Sequence, residues 1–366
     1  MALLDQPDML APLPRVGPHF IDALERSGLF GRGGASFPTG TKWRAVAQRS
    51  GGNAVIVVNG AEGEPQSKKD RVLMSTRPHL ILDGAFIAAR VLRARRIALY
   101  IGERHTAARD SMLRALAHRT EPERGIVNLA AAPSRYVAGA ESAAIHFINE
   151  GVATPTIVPP HPFELATLVQ NVETLAHIAV LARTGAIPGT VLLTMAGGVA
   201  RQGVIEVATG TTIAEAITRA GGPADPPRAV LVGGYFGRWM EPDETRQLRV
   251  ARESGLGCGV VGIHPTSRCP VCDVAAIMRY LARESSAQCG PCFFGLRALA
   301  DACTRIASLG SNAIDLRRLE RWAVEVRGRG ACKHPDGAVT FLSSAMTVFA
   351  DEFADHRPDH LLRQSA

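Results

Sequence analysis

The chain has 366 residues, of which 46% are hydrophobic and 20% charged, a balance typical of a globular protein that can bury a core. No uninterrupted apolar run approaches the ~20 residues needed to cross a bilayer, and residues 1–15 lack the basic start and apolar stretch of a secretory signal. We therefore expect a cytoplasmic protein without direct membrane insertion. The net charge of +7 comes from scattered cations, without the aromatic-interleaved basic stripe of a nucleic-acid-binding protein. Such a surface either serves solubility or attracts an acidic protein partner.

Residues 1–188 are predicted to form one domain, in which residues 20–185 alternate apolar runs with helical patterns. Strands are predicted at 54–59, at 97–101 and near 126–127, and helices at 79–92 and 106–118. This strand–helix–strand–helix–strand order predicts a mostly parallel sheet with crossover helices, as in Rossmann-like α/β domains. Ligands bind outside the carboxyl ends of the strands in such sheets. The segment that begins at Asn59, at the end of the first strand, is therefore a candidate ligand contact.

The remainder of the chain predicts two further modules. Residues 189–237 follow a β–β–α–β pattern that predicts a β-grasp module, and residues 238–268 are a connecting segment. Residues 269–366 contain four amphipathic segments, which predict a helical bundle: 274–283, 293–309, 314–327 and 339–353. The fold class is accordingly α/β, with a Rossmann-like domain followed by a β-grasp module and a C-terminal helical bundle.

The stretch from Gly31 to Trp43 is the strongest candidate for a ligand-binding loop. Its first ten positions hold four glycines, which let the backbone approach a ligand closely. Successive N–H groups in such a loop form an anion-binding concavity, and Arg32 and Lys42 add positive charge that suits a phosphate. An ordinary glycine-rich turn is the alternative, but a turn rarely needs four glycines and two cations. We therefore interpret the loop as a cradle for a phosphorylated cofactor.

The loop Gly31-Arg32-Gly33-Gly34-Ala35-Ser36-Phe37-Pro38-Thr39-Gly40-Thr41-Lys42-Trp43 closely resembles the FMN-binding loop of the NADH-dehydrogenase flavin subunit of respiratory complex I and of related hydrogenase and formate-dehydrogenase subunits. Two later segments resemble the same family in the same order: Asn59-Gly60-Ala61-Glu62-Gly63-Glu64-Pro65 and Gln170-Asn171-Val172-Glu173-Thr174-Leu175. The first of these is nearer to the NADH-binding subunit of Rnf complexes. The resemblance covers most of the chain. It implies FMN and NADH as cofactors and an SLBB domain as the β-grasp module.

The resemblance also implies which residues contact the cofactors. The flavin-binding set is Gly31, Arg32, Gly33, Gly34, Phe37, Lys42, Asn59, Glu62, Tyr136, Gly139, Asn171 and Thr174. Glu64 corresponds to an acid near the nicotinamide ribose. Glu141 is the retained acid of a second segment, where it is either catalytic or a helix cap, since carboxylates suit helix N-termini.

Three departures from the family fall in the pocket for the nicotinamide nucleotide. Phe37 matches one of the phenylalanines that stack on the adenine of NADH in the family. Ala45 and His161 stand where the others lie, and Ala140 replaces an acid. A stacked aromatic pair contributes about 0.5–1.5 kcal/mol beyond burial. We therefore expect the flavin site to be better preserved than the NADH site, and NADH to bind more weakly than in full members of the family.

Cys289 and Cys292, with Cys332 further along, have a spacing typical of iron–sulfur ligands. In the family pattern one more cysteine precedes them, and Ser286 stands in its place. The resemblance implies a [4Fe–4S] cluster, with a [3Fe–4S] cluster as the alternative if Ser286 leaves the fourth iron unbound. Zinc and inert buried cysteines are the competing interpretations.

Cys269 and Cys272 form a second C-x2-C pair. This pair is a redox dithiol, a source of a substitute cluster ligand, or a pair of packed side chains. We favour packing, because free cysteines are often buried as small hydrophobic residues. Cys258 and Cys303 are interpreted as core residues.

The expected function is that of an NADH dehydrogenase flavin subunit, in which FMN takes a hydride from NADH and passes single electrons to one iron–sulfur cluster. The electrons then leave to a partner protein, either a ferredoxin or a thioredoxin-fold [2Fe–2S] subunit, within a hetero-oligomer. The alternative is an FMN and iron–sulfur relay subunit that does not oxidise NADH, being ferredoxin-linked or non-catalytic.

Overall fold

The computed structural model describes residues 2–5, 7–156 and 166–358. The chain divides into two compact units. Unit 1 consists of Met1–Thr194 and Val204–Thr209, and unit 2 of Met195–Gly203 and Gly210–Ala366. The domain boundaries predicted at residues 188, 237 and 268 stay predictions. Within the described ranges, no helix combines the length and the apolar character that crossing a bilayer requires.

Unit 1 alternates strands and helices. Its elements are α1 (Phe20–Arg26), α2 (Thr39–Ser50), β1 (Val55–Gly60), α3 (Lys69–Thr76), α4 (Pro78–Leu92), β2 (Arg96–Gly102), α5 (Thr106–Ala117), α6 (Glu121–Gly125), β3 (Val127–Ala132), α7 (Glu141–Glu150), β4 (Thr167–Asn171) and α8 (Val172–Thr184). The strands form one sheet in the order β3-β2-β1-β4, and every pairing in it is parallel. The predicted parallel sheet with crossover helices is confirmed.

The register of this sheet places the candidate site at one edge. Asn59 near the end of β1 pairs with Tyr100 of β2 and with Asn171 of β4. Because parallel strands bring their carboxyl ends to the same edge, two segments that are far apart in the sequence become neighbours there. β4 was not predicted as a strand, although the sequence motif that ends it was recognised.

The core of unit 1 lies between the sheet and the helices α4 and α8, and both helices are almost wholly buried. The two helices pack closely because α4 carries a glycine at the contact. A Cβ added to Gly84 would lie 2.0 Å from the carbonyl oxygen of Leu175, so no larger residue fits. This packing holds the start of α8, and with it Asn171 and Thr174, in place.

Further along the chain the elements are β5 (Thr190–Gly197), β6 (Gly203–Ala208), α9 (Ile213–Arg219), β7 (Pro227–Val232), β8 (Arg238–Met240) and β9 (Val260–Pro265). The strands form a second sheet in the order β6-β5-β9-β7-β8. α9 begins with a capping box between Thr212 and Glu215, which satisfies backbone donors that the first turn leaves unpaired. The predicted β–β–α–β unit is present, and the connecting segment adds two strands to its sheet, of which β9 is completely buried.

The C-terminal region is helical, with α10 (Pro270–Glu284), α11 (Leu296–Leu309), α12 (Ala313–Val326), α13 (His334–Val348) and α14 (Ala350–Asp355). The helix predicted at 339–353 was wrong in its bounds. It begins earlier, at His334, and is interrupted at Phe349, which lies between α13 and α14. The ring of Phe349 is completely buried against Trp239 and His264, and this tertiary packing accounts for the break.

Candidate flavin and iron–sulfur sites

The glycine-rich loop of unit 1 is held at both ends. An isolated bridge joins Phe30 to Pro38, and the N–H of Gly31 donates to the carbonyl of Phe37 over 2.9 Å. The backbone N–H of Arg32 donates to Thr174 Oγ1 over 2.8 Å. The loop is therefore attached to the first turn of α8, and two segments that the sequence motifs singled out separately form one structure.

The middle of the loop presents unused hydrogen-bond donors. In the described part of the chain, the backbone N–H groups of Gly33, Gly34 and Ala35 donate to no protein acceptor. Gly34 has a φ of 108°, a conformation that glycine adopts without strain. Consecutive unpaired N–H groups fit an anion such as a phosphate, so the loop fits the cofactor that the sequence predicts.

Arg32 supplies the charge of this site. Its guanidinium donates from Nη2 to the carbonyl of Thr190 over 3.3 Å and lies 4.0 Å from the carboxylate of Glu173. Its Nε is buried and has no hydrogen-bond partner among the described residues. A buried donor without a partner is costly, so an additional acceptor within reach of this nitrogen would be stabilising.

Lys42 lies near the start of α2, which begins at Thr39, inside the stretch from Gly31 to Trp43. Its ammonium donates to Glu141 Oε2 over 2.6 Å and to the carbonyl of Val169 over 2.7 Å. Glu141 is the first residue of α7, where its carboxylate also suits the helix dipole. The structure thus pairs the predicted cation with the predicted acid, both partly open to solvent.

Asn59 and Glu64 are held from the segment that precedes α7. Asn59 Nδ2 donates to the carbonyl of Gly139 over 3.0 Å, and the hydroxyl of Tyr136 donates to Glu64 Oε2 over 3.0 Å. A Cβ on Gly63 would lie 2.6 Å from the carbonyl oxygen of Tyr136, so only glycine permits this approach. The structure therefore brings Asn59, Glu64, Tyr136 and Gly139 together.

Glu62 has a different environment from the one that its place in the motif implied. Its carboxylate accepts hydrogen bonds from Ser67 Oγ, from the backbone N–H groups of Asp70 and Arg71, and from the Arg71 side chain. The side chain is 2% exposed. Glu62 therefore organises the start of α3, and its contact with a flavin stays a prediction.

A buried network of charged side chains connects the start of α3 to the start of α8. Lys69 Nζ lies 2.6 Å from Asp70 Oδ1 and 2.9 Å from Glu173 Oε2, and Asn171 Nδ2 donates to Asp70 Oδ2 over 2.8 Å. Burial favours neutral Lys69, but the two carboxylates outweigh it and raise its pKa. Burial raises the pKa of Asp70 to about 6, against the opposing pull of Lys69. Neither Asp70 nor Glu173 is among the predicted site residues, because only the fold shows that the two carboxylates share one cation.

The stacking groups for a nicotinamide nucleotide are sparse. Phe37 is 52% exposed, and Ala45 is half-buried on α2. His161, the other position where the family has a phenylalanine, lies outside the described residues.

The predicted cluster ligands lie together in unit 2. Cys289 and Cys292 flank the start of a π-helical turn, Pro291–Gly295, a local geometry that is common at functional sites. The neighbouring Cys332 thiol is the main cause that raises the pKa of Cys292, and the interaction lowers the pKa of Cys332 to about 6. Cys289 also contributes to the raised pKa of Cys292. Cys292 thus interacts with both other predicted cysteine ligands, an arrangement that fits an iron–sulfur cluster held by cysteine thiolates.

Ser286 lies half-buried in the loop between α10 and the π-helical turn. The next residue, Ala287, has a φ of 54°, which is strained for a residue with a side chain. Strain of this kind is often retained at functional sites. Binding of a metal by Ser286 stays a prediction.

The two remaining predicted core cysteines differ in their surroundings. Cys303 is 1% exposed inside α11. Cys258 is half-buried, and its thiol donates to the carbonyl of Gly233 over 3.3 Å.

Models of known protein families match three regions of the chain. The Nuo51 FMN-binding domain matches residues 24–180, the SLBB domain matches residues 192–234, and the NADH-ubiquinone oxidoreductase-F iron-sulfur binding region matches residues 273–356. The three matches follow the order of the elements described above.

Individual relatives match almost the whole length of this chain. An NADH-quinone oxidoreductase subunit of Rhizobium meliloti is 28% identical over 370 residues, covering 92% of this chain and 88% of the relative. The NAD-reducing hydrogenase HoxS subunit alpha of Cupriavidus necator is 28% identical over 387 residues, covering 97% of this chain and 63% of the relative.

Among solved structures, the H2-reduced crystal structure of an NAD+-reducing [NiFe]-hydrogenase contains a similar chain, with a TM-score of 0.84 and 29% identity. The match covers 92% of this chain and 62% of that one. With the FMN-binding, SLBB and iron–sulfur regions matched in order along one polypeptide, the chain belongs to the family of FMN- and iron–sulfur-bearing subunits of NADH dehydrogenases and related hydrogenases.

Proposed function

We propose that this chain oxidises NADH with FMN bound in the glycine-rich loop, and delivers single electrons through one iron–sulfur cluster to a partner protein. The observation that carries the proposal is the run of unpaired N–H groups at Gly33, Gly34 and Ala35 beside the unpaired Nε of Arg32, as seen within the described residues. Bound FMN supplies the conversion between a two-electron hydride and single electrons, and the cluster supplies a one-electron store.

Different residues of unit 1 would bind the FMN phosphate and NADH. The loop and Arg32 hold the phosphate through backbone donors and charge. Glu64, held by Tyr136, is positioned to accept a hydrogen bond from a ribose hydroxyl of NADH. Lys42 neutralises Glu141, which limits the repulsion between that carboxylate and a phosphorylated substrate.

In unit 2, Cys289, Cys292 and Cys332 would hold the cluster. Thiolates favour iron and zinc over hard oxygen-binding metals. The interaction of Cys292 with Cys332 and with Cys289 supports the family's iron–sulfur assignment.

The partner is proposed to be an acidic protein, either a ferredoxin or a thioredoxin-fold [2Fe–2S] subunit, in a cytoplasmic hetero-oligomer. The relatives named above are themselves subunits of an NADH-quinone oxidoreductase and of a hydrogenase. A cleft of about 540 Å3 contains three arginines and one aspartate: Arg279, Arg283, Arg297 and Asp301. Ser285 and Ala287, on either side of Ser286, also line it. A positive surface beside the cluster cysteines favours an acidic electron carrier.

The second candidate function is an electron relay that does not oxidise NADH. It is favoured by the weak stacking environment, in which Phe37 is largely exposed and Ala45 offers no ring. In this case a reduced ferredoxin, and not NADH, would be the electron donor.

One experiment separates the two. The protein is purified without oxygen, its flavin and iron are quantified, and its visible spectrum is recorded before and after NADH. The proposal expects about one FMN per chain, on the basis of the single motif, and bleaching of the flavin band by NADH. An oxidised flavin at saturating NADH, with bleaching by reduced ferredoxin, would establish the relay instead. Protein that contains only FAD, or no flavin, would contradict both.

A further inference from the structure

A second group of metal-binding side chains lies in unit 2. The ligand atoms of Cys269, Cys272 and His356 all lie within 4.8 Å of one another, and Cys269 Sγ is 3.7 Å from His356 Nδ1. Zinc binds thiolate sulfur at about 2.3 Å and imidazole nitrogen at about 2.0 Å in a tetrahedron. These bond lengths require a sulfur–nitrogen separation of about 3.6 Å, which the observed distance matches.

The imidazole of His356 is already oriented for a metal. Its Nε2 is 3.0 Å from the carbonyl oxygen of Ala307, and a carbonyl only accepts hydrogen bonds, so Nε2 carries the proton. Nδ1 then presents its lone pair toward Cys269. Histidine ligands of metals characteristically donate their other ring N–H to a carbonyl or a carboxylate in this way.

The two cysteines are positioned by the start of α10. Cys269 is the residue before the helix, Pro270 opens the first turn, and the N–H of Cys272 lies 3.5 Å from Cys269 Sγ. Proline at this position is pre-organised for helix entry. From its spacing alone this pair was interpreted as packing, because the nearness of His356 depends on the tertiary fold.

We propose that Cys269, Cys272 and His356 bind one zinc ion, with a water molecule as the fourth ligand. Binding forms two zinc–sulfur bonds and one zinc–nitrogen bond, and it releases two thiol protons to solvent. Two thiolates and a neutral imidazole give the zinc-bound site no net charge. The ion would link the start of α10 to the segment that follows α14, and so connect the first and last helices of the helical region.

The test measures zinc in the full chain with Cys289→Ala and Cys332→Ala, since those cysteines would otherwise bind metal themselves. We expect about one zinc per chain after dialysis against a weak chelator. Adding Cys269→Ser and Cys272→Ser, or His356→Gln alone, should abolish it, whereas Cys258→Ser should leave it unchanged. Cobalt in place of zinc should show thiolate-to-metal charge transfer that is lost with the same substitutions.

If the Cys269, Cys272 or His356 variants do not fold, the chain that carries only Cys289→Ala and Cys332→Ala still decides the question. Its melting temperature, measured after metal removal under reducing conditions, should rise on addition of zinc but not of magnesium. Retention of zinc in the Cys269 and Cys272 variant would overturn the proposal. So would a zinc-free chain in which these two cysteines oxidise to a disulfide, because that outcome identifies a redox dithiol.

Discussion

Lys69 Nζ and Glu173 Oε2 lie 2.9 Å apart in the interior of unit 1, and each side chain is at most 4% exposed. Burial favours the neutral acid, but Lys69 and its other neighbours outweigh burial and lower the pKa of Glu173. The pair joins α3 to α8. Glu173 Oε1 also accepts the N–H of Leu192, so a single carboxylate connects both helices to β5.

Removing this carboxylate's charge should be costly. We expect Glu173→Gln to lower the free energy of unfolding by about 3 kcal/mol, since breaking a buried pair leaves an uncompensated charge, and Asp70 compensates only in part. Urea denaturation of the protein in one cofactor state measures the change. Glu25→Gln, at the surface pair with Arg44, is the control and should have little effect. Equal effects of the two substitutions would show that burial does not strengthen the Lys69 pair.

The stability of unit 1 should fall in mild acid because of His177. This side chain is completely buried, and both ring nitrogens lack hydrogen-bond partners among the described residues. Burial lowers its pKa below the ordinary value of 6.5. Below that pH the unfolded chain binds one more proton than the folded chain, so stability should fall by up to about 1.4 kcal/mol per pH unit.

His177→Leu should remove this part of the pH dependence. Urea denaturation between pH 7 and pH 5 gives the slope, and His19→Gln at the surface is the matched control. An unchanged slope in the His177 variant would assign the acid sensitivity to other groups.

The attachment of the loop to α8 should control FMN retention. Thr174→Val removes the acceptor of the Arg32 N–H. The loss of one such bond costs about 1.4 kcal/mol, equivalent to about tenfold in the dissociation constant. Fluorescence titration of the flavin-free protein with FMN measures this constant. Thr184→Val, at the exposed end of the same helix, should leave the affinity unchanged, and equal weakening by both would argue against a role for the loop anchor.

Ser286→Cys should strengthen the iron–sulfur cluster. A fourth thiolate is a softer ligand than a serine oxygen, so iron retention in air and the reduction potential should both rise. Iron analysis and EPR-monitored redox titration provide the measurement. Cys289→Ala with Cys332→Ala should remove the iron, and unchanged iron content in that double variant would reject these residues as ligands.

Ala45→Phe should tighten NADH binding. One additional stacking contact approaches 1.4 kcal/mol at best, which is about tenfold in affinity. Stopped-flow bleaching of the flavin band against NADH concentration measures the apparent affinity. Gln48→Phe, at an exposed position of the same helix, is the control. Weaker NADH binding in the Ala45 variant would place the adenine elsewhere.

Local patterns along the chain determined much of this protein. The apolar run before Asn59 and the helical period over 79–92 predicted β1 and α4 within one residue at each end. These elements are predictable because their hydrophobic pattern and turn residues act over a few positions. The glycine-rich loop was predictable for the same reason, because closely spaced glycines indicate a backbone conformation that other residues rarely adopt.

The tertiary structure alone decided which distant residues meet. Asn59 and Asn171 became neighbours through the parallel register of β1 and β4, Lys69 met Glu173 through the packing of two helices, and His356 came to lie beside Cys269. No sequence pattern near either residue indicates these pairs, because the sequence around one partner does not depend on the other partner. Ion pairing and metal binding depend on distance in space, and that distance is set only when the hydrophobic core brings separate elements together.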